Sequence, residues 1–347
     1  MNKQLLQKLS NADAVASQEM EVRNIIRTEL REYENSFQYD GLGSLIVTKK
    51  SDVEDAPTIM FAAHMDEVGF LVRNISDIGM LALTPIGGVL DKSKENQMVR
   101  ITTASGRKIE GLLNVSRDAS GKIQSTYVDV GVNSREEVAK LGIDIGDMVC
   151  FSSNFRNLND SSVFAGKALD DRVGVYALIV ALKKLQSLNL PVHVTMAFTS
   201  SEEVGTRGGK LVADLIHPDL FFAVDVANHP ELIRDYTNQR LIGKGPMLVH
   251  YDKTMVPNKK LIHWLKQIFE ENNFSYQKDM FGGGGTDAGF AHLTNGGILA
   301  AVLGIPLRYC HSPYSFVQED DLAEVVKMIV AIAKNASEEQ IATIKTF

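Results

Sequence analysis

The chain has 347 residues, 44% hydrophobic and 23% charged, a balance that supports a sizeable packed core. At roughly 100–200 residues per domain, that length suggests two domains or one large one. Its 36 basic and 43 acidic residues leave a formal charge of −7, which argues against a broad face gripping nucleic acid or anionic membrane. Cys150 and Cys310 are too few for a disulfide framework and read as reduced thiols of a cytoplasmic protein. No run reaches the ~18 apolar residues of a membrane span, and the N-terminus lacks the apolar core of a signal peptide.

In chain order, Val22, Ile25, Ile26 and Leu30 predict an amphipathic helix over Glu19–Tyr33, with Ser17 as its cap. Short strands are expected at Phe37–Tyr39 and Ser44–Thr48, around the Asp40-Gly41-Leu42-Gly43 turn. The continuous apolar run Thr58–Ala63 reads as a strand buried on both faces. The texture then changes between about Gly69 and Val163. Short β-like pieces at Phe70–Val72, Met80–Leu83, Gln97–Thr102, Lys108–Leu113, Thr126–Val130 and Met148–Phe151 alternate with polar turns. A single helix interrupts them at Ser134–Leu141.

Beyond Gly166, helices at Asp171–Leu185, Gly208–Leu215, Asn258–Glu271 and Glu319–Lys334 alternate with strands at Val192–Phe198, Leu220–Val224 and Ile298–Leu303. Such alternation implies a mainly parallel, twisted sheet flanked by helices. Residues 1–68 and 164–347 would form this α/β domain, with 69–163 a small β domain inserted into it.

Chemistry-bearing residues gather after the buried strands. His64 and Asp66 follow the first, Glu202 and Glu203 the next, then Asp225, and His311 follows the last. Parallel strands point one way, so these groups would meet at one sheet edge, where open α/β folds place their sites. Each has a plainer reading: a loop histidine held by a carboxylate, or, for Asp170-Asp171-Arg172, a helix cap. Together, two histidines and several acids suit zinc, cobalt or manganese, without choosing among them. His64 and Asp225 can serve one ion, Glu203 and His311 a second, and Asp170 can bridge, which leaves Glu202 as a base. The run Gly282–Gly285 lacks the Gly-Lys-Ser/Thr continuation of a phosphate loop, and there is no Gly-x-Ser-x-Gly elbow of a serine hydrolase.

Five motifs occur in a specific order. They are Ala63-His64-Met65-Asp66-Glu67-Val68-Gly69-Phe70, Ala168-Leu169-Asp170-Asp171-Arg172, Ser201-Glu202-Glu203-Val204-Gly205, Gly284-Gly285-Thr286-Asp287-Ala288 and His311-Ser312-Pro313. Over essentially the whole chain the sequence resembles the tetrahedral dinuclear aminopeptidases, a family that includes glutamyl and deblocking aminopeptidases. The resemblance implies a zinc-peptidase-like catalytic domain with an inserted β-barrel-like domain. It implies two divalent metal ions, zinc or cobalt and possibly manganese: one on His64, Asp170 and Asp225, the other on Asp170, Glu203 and His311. Glu202 matches the general base of a metal-activated water, and Asp66 the carboxylate that orients His64. It further implies short peptides with a free N-terminus as substrates, and dimers assembling into a dodecamer. Competing readings are a related dinuclear deacylase or carboxypeptidase, a glycosidase of the endoglucanase kind, and a non-catalytic binding protein. The first side chain preferred by the site is not legible.

Overall fold

In the computed structural model, which describes residues 1–159, 161–229 and 240–346, the apolar run Thr58–His64 is a strand near the middle of an eleven-stranded sheet. It pairs in parallel with His193–Thr199 on one side and with Leu220–His229 on the other. Leu220–His229 pairs in parallel in turn with Leu299–Arg308. Both faces of these four strands are covered, so their sequences are continuously apolar rather than alternating. The helices Leu169–Leu185 and Glu319–Asn335 pack over one face, and Phe61 stacks on Phe222 at 5.0 Å between adjacent strands.

The parallel core carries antiparallel strands on both sides. The short Asp40–Gly43 turn makes Phe37–Tyr39 and Leu45–Lys49 antiparallel neighbours, and this hairpin adds through Leu45–Lys49 to His193–Thr199, also antiparallel. Ser315–Gln318, Val163–Gly166 and Arg156–Asn157 extend the other side, where Met247–Tyr251 and Gln277–Met280 also attach.

Six strands form a separate closed antiparallel barrel. They are Gly69–Ile75, Leu81–Ile86, Gln97–Thr102, Lys108–Arg117, Ile123–Asp129 and Met148–Phe151. Closure removes the exposed edges that strands this short would otherwise present. The barrel is filled by Phe70, Val72, Val99, Ile101, Leu113, Val128 and Phe151, with the Phe70 and Phe151 rings edge to face at 6.2 Å. Its helix Arg135–Leu141 starts at Ser134, whose hydroxyl accepts from the Glu137 amide, and stops at Gly142 with φ +81°.

Several local expectations are corrected. The first amphipathic pattern is helical only over Met20–Glu29 and continues as a 3₁₀ turn over Arg31–Ser36. Ser17 does not cap it. Its φ is +67°, and its amide donates to the buried carboxylate of Glu19, which also accepts from the Ser200 hydroxyl. A helix not expected from the sequence, Lys3–Asn11, buries Leu5, Leu6 and Leu9 and is capped by Asn2. Leu299–Arg308 is longer than the expected strand because its apolar run continues through Pro306 against Leu220–His229.

Barrel and sheet meet over a buried ionic cluster. Lys167, fully buried, lies 2.7 Å from Glu67 and 3.0 Å from Asp13. Arg172, also fully buried, reaches Glu67 at 3.1 Å and donates to the Met65 carbonyl at 2.8 Å and the Leu9 carbonyl at 2.6 Å. From the barrel, Arg100 and Lys108 close on Asp13 at 2.6 and 2.8 Å. These cations hold the Asp13 carboxyl well below its usual range, although burial opposes them. Removing one partner leaves an uncompensated buried charge. Lys167→Met is therefore expected to cost about 3–5 kcal/mol, read as a lowered denaturation midpoint, whereas an unchanged midpoint would show the cluster to be energetically neutral.

Candidate metal centre

The parallel register sets up the site. Thr199 lies beside His64, and Ala223 beside Ala62, so Asp225 projects just past the last residue paired to the central strand. After Thr199 the chain turns through Glu202 and Glu203 before the helix Arg207–Ile216. His311 stands in the loop beyond Leu299–Arg308. The central strands thus deliver their residues to one edge, and the helix start at Asp170 faces it.

That helix start is irregular. Asp170 (φ −81°, ψ 108°) and Asp171 (φ −115°, ψ 39°) are not helical, and the peptide bond between them is cis. The capping role that sequence assigned to this pair falls to Asp171. Its Oδ1 accepts from the Gly174 amide at 3.1 Å, and its Oδ2 from the His64 amide at 3.3 Å. Gly174 permits this, since a Cβ there would lie 2.4 Å from the Asp171 carboxylate and from the Val224 carbonyl.

Asp170 stands between the two histidines. Its Oδ1 is 3.1 Å from His64 Nε2, and its Oδ2 is 3.1 Å from His311 Nε2. Glu203 Oε1 is 3.5 Å from the same His311 nitrogen, and Glu202 Oε2 is 4.0 Å from His64 Nε2. The outer ring nitrogens have backbone acceptors: His64 Nδ1 faces the Asp66 carbonyl at 3.0 Å, and His311 Nδ1 the Gly88 carbonyl at 3.2 Å. That leaves both Nε2 atoms to face the acids.

Asp66 has a connection that sequence did not suggest. Its carboxylate stands 3.6 Å from His64 Nδ1, but its two oxygens accept the Glu202 and Glu203 amides at 3.0 and 3.1 Å. Asp287, from the motif after the glycine run, accepts from the Thr199 hydroxyl at 2.5 Å and the Gly209 amide at 2.9 Å. A Cβ on Gly209 would come within 2.5 Å of Asp287, so glycine is what lets this brace close.

The electrostatics are those of acids crowded without enough positive charge. Burial, reinforced by the neighbouring acids, pushes Glu203 up to about 8, Asp225 up to about 7, and Glu202 well above the usual carboxylate range. Burial would lower both histidines, but hydrogen bonds to Asp170, with Asp66 or Glu203 nearby, raise His64 well above its ordinary value and His311 to about 9. Asp170, although buried, is held far below the normal range by those two histidines.

Three overlapping groups could hold a cation: His64, Asp171 and Asp225; His64, Asp170 and Glu203; and Asp170, Cys310 and His311. Glu203 Oε1 is buried and lacks a hydrogen-bond partner, a costly state that a cation would relieve. Nitrogen and carboxylate donors of this kind fit divalent zinc, cobalt or manganese. A fourth acid-rich group, Asp13, Glu67 and Cys150, is already offset by Lys167 and Arg172, with Arg100 and Lys108 on Asp13.

The centre opens into a cavity of about 560 Å³. The backbone of Gly282–Gly285 forms one wall, with Phe281, Thr206 and Arg240 also lining it. Arg240 pairs with Asp279 at 2.9 Å and lies 5.6 Å from the Phe281 ring centre. Sequence reasoning read Asp171 only as a possible helix cap and Cys310 only as a reduced thiol, and it gave no signal for Arg240 at this cavity.

Comparison with known proteins is consistent across sequence and structure. The M42 glutamyl aminopeptidase family profile matches residues 43–328. The glutamyl aminopeptidase of Lactococcus lactis subsp. cremoris (strain MG1363) is 33% identical, over 98% of each chain. The crystal structure of a TET aminopeptidase from the marine sediment archaeon Thaumarchaeota archaeon SCGC AB-539-E09 superposes with a TM-score of 0.94 at 29% identity, over 99% of each chain. The Pyrococcus horikoshii TET1 peptidase, described as able to assemble into a tetrahedron or a large octahedral shell, gives 0.87 at 30% identity, over 96% of this chain and 99% of its own.

The raised carboxyls carry a pH signature. In the metal-free fold, Glu203 and Asp225 keep protons that the unfolded chain, with values near 4.5 and 3.8, gives up. Unfolding in this range therefore releases protons, and stability falls as pH rises from about 4 to about 8. His311 acts in the same direction: its contribution is full below 6.5 and is lost through about 9. Thermal melts in chelator should show a midpoint declining across this window, and a midpoint rising from pH 5 to 8 would contradict the assignment.

Proposed function

Because the chain belongs to the M42 glutamyl aminopeptidase family, we propose that it is a metal-dependent aminopeptidase releasing N-terminal residues from short peptides. The observation that carries this reading is the split carboxylate of Asp170, with one oxygen toward His64 and the other toward His311. A single acid shared between two histidine-bearing donor sets suits a bridged pair of ions. His64, Asp170 and Asp225 would hold one, and Asp170, Glu203 and His311 the other. Two divalent ions bound there supply Lewis acidity toward a peptide carbonyl and make water a better nucleophile at neutral pH.

The chain's own residues do the rest. Glu202 lies outside both donor sets, yet it lines the cavity with its Oε2 4.0 Å from His64 Nε2. Burial raises its affinity for a proton, which suits a group that takes one from the attacking water and gives it to the leaving amine. Asp66 positions it by accepting its backbone amide, with the neighbouring Glu203 tied to the same carboxylate. The acid-rich wall of the cavity favours a positively charged peptide N-terminus, and the glycine wall lets the substrate backbone approach closely. No helix among the described residues is long and apolar enough to cross a membrane. With both cysteines free, we place the protein in the cytoplasm. Since the TET1 relative can assemble into a tetrahedron or a large octahedral shell, we infer that this chain also self-associates, and our reading is dimers joined into a dodecamer.

The test is residue release from free and N-acetylated peptides by metal-stripped protein, with zinc, cobalt or manganese restored. Metal-restored release from free peptides alone is the expected result. Cleavage of blocked peptides would move the reading to a deacylase, and release that survives chelation would overturn the metal mechanism. Glu202→Gln should retain bound metal but lose about 10²–10⁴-fold in kcat, checked by metal analysis beside the kinetics. Asp170→Ala should lose metal as well as activity.

A further inference from the structure

Cys310 lies inside the metal centre but belongs to neither of the two donor sets proposed above. It lines the cavity, and its Sγ donates to Asp170 Oδ2 at 2.8 Å. The same Asp170 oxygen is 3.1 Å from His311 Nε2. The candidate donor atoms of Asp170, Cys310 and His311 all lie within 4.8 Å of one another, the separation expected of groups around one ion. An independent observation points to a ligand at this place. Glu203, with its side chain only 6% exposed, has Oε1 3.5 Å from His311 Nε2 and without a hydrogen-bond partner.

The loop that carries Cys310 is firmly held. The Tyr309 ring packs edge to face on Phe316 at 5.1 Å, and the Tyr309 carbonyl accepts from the Ser312 and Ser315 hydroxyls at 2.8 and 3.0 Å. The Cys310 amide donates to the Asn228 side chain at 3.4 Å. The thiol is therefore presented to the centre by a braced backbone, as a ligand must be.

We propose that Cys310 is an additional ligand of the ion held by Asp170, Glu203 and His311, and that its sulfur biases that position toward zinc or cobalt over manganese. This rests on the metal reading above. As the sulfur–metal bond forms, the Sγ–H bond breaks, its proton leaves to solvent water, and the hydrogen bond to Asp170 is given up. Thiolate is a soft donor, and softness of the donor set is what separates zinc and cobalt from manganese at otherwise similar sites.

The experiment uses the full chain, stripped with chelator and reloaded with cobalt, as wild type and as Cys310→Ser. Serine keeps a hydroxyl donor for Asp170, so a role limited to that hydrogen bond survives the change. Wild type should show a sulfur-to-cobalt charge-transfer band in the near ultraviolet. Cys310→Ser should lose that band while keeping the visible ligand-field bands of bound cobalt. Its zinc affinity should fall by about tenfold or more, with manganese affinity moving less than about threefold. Cobalt bound without a charge-transfer band, a band that persists in Cys310→Ser, or unchanged zinc affinity in that variant would each overturn the proposal. Folded wild type that binds no cobalt would overturn the metal reading along with it.

Discussion

The buried pairing of Lys167 and Arg172 with Glu67 and Asp13 is the constraint on which the rest of the molecule depends. Glu67 lies three residues past His64, Lys167 three before Asp170, and Arg172 two after it. Arg172 also holds the Met65 carbonyl and two carbonyls at the end of the first helix. Three segments far apart in sequence, 9–13, 65–67 and 167–172, are thus fixed to one another directly beneath the donor residues. Buried charges tolerate little displacement, because their mutual attraction offsets desolvation only at short range. A hydrophobic contact in the same place would have held the segments together with far less control over distance and direction.

Above that floor the balance of charge reverses. Asp66, Asp170, Asp171, Glu202, Glu203, Asp225 and Asp287 are clustered with two histidines and are largely buried. Two different kinds of acid can be distinguished among them. Asp171 and Asp287 are bound to backbone amides and to a hydroxyl and serve to brace the strands. Glu203, with an unpartnered oxygen, and Asp170, shared between the histidines, face inward. The first kind is satisfied by the fold itself, whereas in the second the Glu203 oxygen has no partner and calls for added positive charge.

Much of this was legible in the sequence, for physical reasons that differ by element. Strands buried on both faces write themselves as unbroken apolar runs, so Thr58–Ala63 and Leu220–Val224 were visible, and with them the edge where His64 and Asp225 emerge, although the second strand runs on to His229. Asn258 and Ser134 announced helix starts because a cap is a local interaction between side chain and nearby amides. Strands such as Met247–Tyr251, Gln277–Met280 and Ser315–Gln318 were missed, since they are short and owe their existence to a neighbour already in place. The same holds for Cys310. Nothing in Arg308-Tyr309-Cys310-His311 says that the thiol turns toward Asp170, a contact spanning 140 positions. The double hydrogen bond of Asp66 to Glu202 and Glu203 was equally hidden, since it depends on two loops meeting.

The loop between two barrel strands supplies the Gly88 carbonyl to Nδ1 of His311. A carbonyl can only accept, so this contact keeps a proton on Nδ1 and leaves Nε2 to face Asp170 and Glu203. The barrel therefore sets the tautomer of a residue that belongs to the sheet, and its role is more than that of a spacer or a docking module. A barrel exchanged for that of a relative would transplant this setting along with the outer surface. Any residue at position 88 would offer the same carbonyl, but a Cβ there would lie 3.1 Å from His311 Nδ1, so a side chain added on the barrel would press directly on the ring.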